Sequence, residues 1–160
     1  MKPPPTEKSY HIFYQMMAGL HQEERIQLGL NGLTIRDLNY LNIGDVRQDE
    51  NEDAKRFEDW RTSLAILGIP FMDVVRVLSA ILLLGNVVFT PGLGDDTFEV
   101  ELNGKDELNS VAKLLGISST LLWQGLTMRT HSVRGQPIKS VSDSNLVSQL
   151  LNLFTEKNCL

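Results

Sequence analysis

The sequence predicts a mainly α protein of about six to eight helices, with a minor β-hairpin and an exposed basic loop. Three observations predict it. Apolar residues recur at three-and-four spacing in one segment after another, glycines and prolines stand where those segments stop, and only 87–102 and 127–141 break the helical period.

Taken in order, residues 1–9 hold three consecutive prolines and read as a disordered, extended start. Ser9 is the candidate N-cap of a first helix in which Ile12, Phe13, Met16, Met17 and Leu20 share a face, and His11 reads as structural. The segment QEERIQLGL continues as a short polar helix that ends near Gly29. Thr34 and Asp37 have the spacing of a capping box, and Ile35, Leu38 and Leu41 predict one or two helical turns behind it.

A clearer helix covers 52–67, where Ala54, Phe57, Trp60, Leu64 and Leu67 line up opposite the charges, and Gly68 stops it. Pro70 suits the first turn of the next helix. There Phe71, Val74, Val75, Leu78, Ile81, Leu82 and Leu84 form an apolar surface too wide for a half-exposed helix, which predicts the central core element. Val87–Phe89 and Phe98–Leu102, with the turn-rich PGLGDD between them, predict the hairpin. Leu108, Val111, Ala112, Leu114 and Leu115 predict a helix closed by Gly116, and Leu121, Leu122 and Leu126 a short one after Ser118 and Ser119. Residues 127–141 alternate around a Gly-Gln-Pro corner and read as an exposed β-loop. Leu146, Val147, Leu150, Leu151 and Phe154 predict a last helix within 142–160.

Composition narrows the function classes. A formal charge of -5 with pI near 5.2 opposes a general nucleic-acid binder, which needs a basic face. One cysteine, Cys159, excludes an internal disulfide, and it is misplaced for prenylation. The start lacks the apolar core of a signal peptide, and no run is long enough to span a bilayer, so a cytoplasmic location is expected.

The chemistry-bearing patterns are mostly absent. There is no Gly-x-x-x-x-Gly-Lys-Ser/Thr run to cradle phosphates, no Gly-x-Ser-x-Gly elbow and no His or Cys in zinc-ligand spacing. No catalytic, cofactor-binding or metal-ligating residue is therefore assigned. Residues 45–59 carry seven acids against three bases and read as a solvated face. By contrast, no Asp or Glu occurs between Glu107 and Asp143, where Arg129, Arg134 and Lys139 fall in the β-loop. Their uncancelled field could steer an acidic partner, or the loop could be an ordinary basic hairpin; charge alone leaves both open.

Several segments resemble one family in order and spacing. His11–Leu20 (HIFYQMMAGL), Arg56–Pro70 (RFEDWRTSLAILGIP), Ile81–Phe89 (ILLLGNVVF), Leu108–Ile117 (LNSVAKLLGI) and Leu126–Ser140 (LTMRTHSVRGQPIKS) are similar to successive parts of myosin motor heads. The resemblance runs from about Tyr10 to Val141 and implies part of the upper 50-kDa region of an unconventional-type myosin.

That resemblance implies an actin-based, ATP-driven cytoskeletal motor, with ATP and magnesium as cofactors of the complete head. The loop matching Arg129–Ser140 is the family's cardiomyopathy loop on the actin-binding face, which makes Arg129, Arg134 and Lys139 candidate actin contacts and Thr130 a possible regulatory phosphosite. The phosphate loop and first switch would precede His11, and the Asp-Ala-Leu-Ala-Lys helix and second switch would follow the loop. None of these is found here, so residues 142–160 read as divergent and no ATPase is expected of this chain alone. Expected partners are actin filaments and the remainder of a myosin head, with cytoskeletal association and neither nucleic acid nor a membrane span. The alternative is a non-motor actin- or protein-binding helical module.

Overall fold

A computed structural model describes residues 10–42, 49–91, 98–100, 102–133 and 136–141. The expectations for 1–9 and 142–160, and for Arg134, lie outside these. Helices dominate: α1 (His11–Gly19), α2 (Gln22–Gln27), α3 (Glu50–Ile66), α4 (Phe71–Leu84), α5 (Leu102–Leu115) and α6 (Ser119–Thr127). Two short antiparallel ladders join β1 (Phe89–Pro91) to β2 (Phe98–Val100) and β3 (Met128–Val133) to β4 (Gln136–Val141). The chain divides into one compact unit ending at Leu82 and a second beginning at Leu83.

The helix stops follow local chemistry. Gly29, Gly68 and Gly116 have φ near +70°, where a side chain is strained. In each case the next residue reaches back five positions: Leu30 N–H to Arg25 O at 2.8 Å, Ile69 to Leu64 at 2.9 Å and Ile117 to Ala112 at 3.0 Å. This is the Schellman closure, and it satisfies carbonyls that the helix would otherwise leave open.

The starts are less uniform. Asp49 caps α3 by accepting the Glu52 N–H at 3.1 Å, and Ser118 caps α6 by accepting from Leu121 at 3.2 Å. The α1 N-cap is Tyr10, which makes no side-chain capping bond, in place of the expected Ser9. His11, at the first helical position, is exposed and not a core residue.

The first unit is organised by α1 against α3. Phe13, Tyr14, Met16 and Met17 of α1 are buried, as are Phe57 and Leu64 of α3. Gly19 permits the approach: a Cβ there would stand 2.5 to 2.8 Å from Cδ1, Cβ and Cγ of Phe57. Phe57 cannot yield easily, because its ring stacks on Trp60 with centroids 5.5 Å apart and meets Phe71 edge-on at 5.7 Å. Gly19→Ala is therefore expected to lower stability by about 1–3 kcal/mol, the usual cost of overpacking, in urea unfolding. In a Phe57→Leu background the same change should cost less.

Between α2 and α3 the one or two turns expected behind Thr34 form as isolated turns and do not join into a helix. Asp37 accepts both the Thr34 N–H at 2.8 Å and the Thr34 hydroxyl at 2.6 Å, which folds the box onto itself. Single turns follow, with Leu41 N–H bonded to Leu38 O at 2.8 Å. The Leu41 carbonyl, which a longer helix would leave at its end, instead accepts the buried Tyr14 hydroxyl at 3.0 Å. Leu38 and Leu41 are buried all the same, so the apolar spacing located the contacts while the backbone took another route.

Along α4, burial is broad only toward the C-terminal end, where Ser79 to Leu84 are all buried; Val77 is half exposed. In the second unit, Leu108, Val111, Ala112 and Leu114 bury one face of α5, while Leu115 and Leu121 are exposed against expectation. Two strand boundaries also shift. β1 starts at Phe89, not Val87, and Leu102, expected at the end of the second strand, begins α5.

Candidate functional site

The β3–β4 ladder holds Arg129, Thr130 and Lys139, and α6 delivers the chain to it without an intervening loop. Thr127 ends the helix buried, its hydroxyl bonded to the Trp123 carbonyl at 2.8 Å. Met128 turns extended at φ -114, ψ 141 while its N–H still closes onto Gln124 O. The first strand residue thus shares its hydrogen bonding with the last helical turn.

The register then places the candidates. Arg129 pairs with Ser140, Thr130 with Lys139 and His131 with Ile138. Positions directly across an antiparallel pair share a face, and successive positions alternate faces. Thr130 and Lys139 therefore share one face of the ribbon, and Arg129 occupies the other. Sequence proximity had grouped the basic residues as one cluster; the pleat separates Arg129 from Lys139. Arg134 lies outside the described residues.

The first unit contains a second charged arrangement that sequence reasoning missed. Arg61 of α3 meets Glu24 of α2 through two parallel bonds, both 2.9 Å. The side chains are only 22% and 18% exposed, and the guanidinium lies 4.1 Å from the centroid of the Phe71 ring. A forked bond with a ring beneath it is the geometry in which arginine outperforms lysine. Burial pushes the Glu24 carboxyl up, but the Arg61 bonds, the His21 N–H at 2.9 Å and the nearby positive charge outweigh it and hold the group below its usual range. No local signal marks this pair, since its members are 37 residues apart.

The acidic run is only partly the solvated face expected of it. Glu50, Glu52, Glu58 and Asp59 are exposed on α3, but Asp53 is buried at 5% exposure. Among the described residues no group of three or more His, Cys, Asp or Glu could hold a metal. The sequence carries no Gly-x-x-x-x-Gly-Lys-Ser/Thr run. No described helix is long and apolar enough to cross a membrane.

These features define a mainly helical chain that carries a two-stranded ribbon with basic residues. Residues 1–155 match the myosin head (motor domain) family, and the chain belongs to that family. Among similar proteins, human unconventional myosin-Ib is 30% identical over 149 residues, 88% of this chain and 13% of that protein. Myosin-2 of Lachancea kluyveri is 31% identical over 141 residues, 86% of this chain and 9% of that one. Myosin-I heavy chain of Dictyostelium discoideum is 33% identical over 138 residues, 82% and 6%. The sequence thus corresponds to a fragment of a myosin motor, spanning a small part of the length of these relatives.

Proposed function

We propose that this chain is the upper 50-kDa portion of an unconventional-type myosin head and contributes part of its actin-binding face through β3 and β4. The observation that carries this is the ribbon itself. A stretch with no acid between Glu107 and Asp143, inside a chain of net charge -5, is held as a six-pair ladder directly on the end of α6. Fixed positive positions on a stiff ribbon steer an acidic filament surface. Arg129, paired with Ser140, and Lys139, paired with Thr130, are then the charge-bearing positions of the ladder.

Thr130 is the position where this loop would be regulated. Phosphorylation adds about -1.5 to -2 charges. The register puts that charge across from Lys139 rather than on the face of Arg129. ATP and magnesium belong to the complete motor, in which nucleotide state and actin affinity are coupled; this chain on its own supplies the contact and not the hydrolysis. Its setting is then cytoplasmic and cytoskeletal.

Co-sedimentation of the full chain with actin filaments, with and without ATP, tests the reading. Binding is expected to be salt-sensitive and unaffected by ATP, and Arg129→Glu with Lys139→Glu is expected to weaken it by about tenfold or more. Loss of binding when ATP is added would refute the absence of a nucleotide site. Failure of the unaltered chain to pellet with filaments would refute the actin-facing role.

A further inference from the structure

A cleft of about 600 Å³ opens in the first unit between the C-terminal half of α1, α2, the 33–36 segment and the start of α3. That volume is in the range that holds small molecules. Met17, Leu33 and Ile35 supply apolar wall, while Arg25, Arg36, Thr34 and Glu50 supply the polar groups.

The two arginines differ: Arg36 is exposed, and Arg25 is the one withdrawn from water. Arg25 is partly buried, and one terminal nitrogen donates to the Leu33 carbonyl at 3.0 Å and lies 4.0 Å from the Met17 sulfur. Its Nε is sealed from solvent and has no hydrogen-bond partner among the described residues. Among the described residues neither Arg25 nor Arg36 forms an ion pair. The carboxylates that could have served are engaged elsewhere: Glu24, next to Arg25, is held by Arg61 through two bonds, and Asp37, next to Arg36, by Thr34 through two more. A guanidinium withdrawn from water without a counter-charge is costly, and an unmatched buried donor adds to the cost.

We propose that this cleft is a binding site for a small organic anion, a phosphate or carboxylate group on a short apolar body. Arg25 and Arg36 take the anionic head in the forked geometry that guanidinium offers to such oxygens. Met17, Leu33 and Ile35 cover the apolar part. Among the described residues, Glu50 is the one carboxylate lining the cleft. Among the described lining residues two guanidiniums stand against one carboxylate, which suits an anionic head. The site is independent of the actin-facing ribbon, which belongs to the other unit.

The test is an NMR titration of the full chain with phenyl phosphate and with benzoate, against sodium chloride at matched ionic strength. Saturable shifts are expected at the Met17 methyl and the Thr34 amide with at least one organic anion and not with chloride; the tighter of the two identifies the head group. Arg36→Gln should weaken binding by about tenfold, as loss of a charge-assisted contact does, with an unchanged unfolding midpoint. The Arg36 guanidinium makes no bond among the described residues, so this variant keeps the fold. Shifts that chloride reproduces, no shift with either organic anion, or unaltered affinity in Arg36→Gln would each overturn the proposal.

Discussion

Phe57→Ala should lower the unfolding free energy by about 3–5 kcal/mol, a large share of what a domain of this size has. Phe57 is fully buried and joins three elements: it fills the space that Gly19 leaves on α1, stacks on Trp60 within α3, and meets Phe71 at the start of α4. Removing the ring loses its transfer free energy and leaves a cavity whose walls are helices fixed by other contacts, which limits collapse. Urea unfolding followed by tryptophan emission is a direct check, because Trp60 loses its stacking partner. A loss below about 1 kcal/mol would mean that α1 and α3 close over the gap, contrary to the packing described.

The second large effect is expected at Arg61. Arg61→Ala removes both bonds to Glu24 and the guanidinium above Phe71, and it leaves a mostly buried carboxylate with only the His21 N–H. A loss of about 2–3 kcal/mol at neutral pH is expected, less than for a fully buried pair. The pH dependence separates this from simple loss of packing. The folded-state pKa of Glu24 is depressed, so its contribution is fully present above the unfolded carboxylate value of about 4.3 and is lost as pH falls through the lower folded value. The unaltered chain should therefore lose stability on acidification over that window more steeply than the variant, and the gap between them should narrow. Parallel pH profiles would show that the charge pairing contributes nothing and that the arginine acts only by packing.

Family membership was legible from short ordered motifs because each of them is local. The helix periods of α3, α4 and α5 and the glycine stops at 29, 68 and 116 were legible for the same reason, since propensity, capping and apolar spacing act within a few residues. The mistakes sit where a long-range bond competes with local preference. Thr34 to Leu41 carries helical spacing, yet a carboxylate closing on its own threonine and a hydroxyl from 27 residues away draw off the groups a helix would need. Asp53 sits in a run whose composition says solvent, but its place on α3 is buried.

For the candidate site the division is the same. Sequence alone determined that residues 127–141 are basic, free of acids and unlike a helix, because charge and alternation are read residue by residue. Only tertiary structure decided which of those residues share a face, since a pleated pair assigns faces by register and a one-residue shift would exchange them all. It alone brought Glu24 to Arg61 and set Arg25 and Arg36 around one cleft with no ion pair among the described residues. The physical reason is that ion pairing depends on distances set by folding, whereas the sequence specifies only which charges exist to be paired.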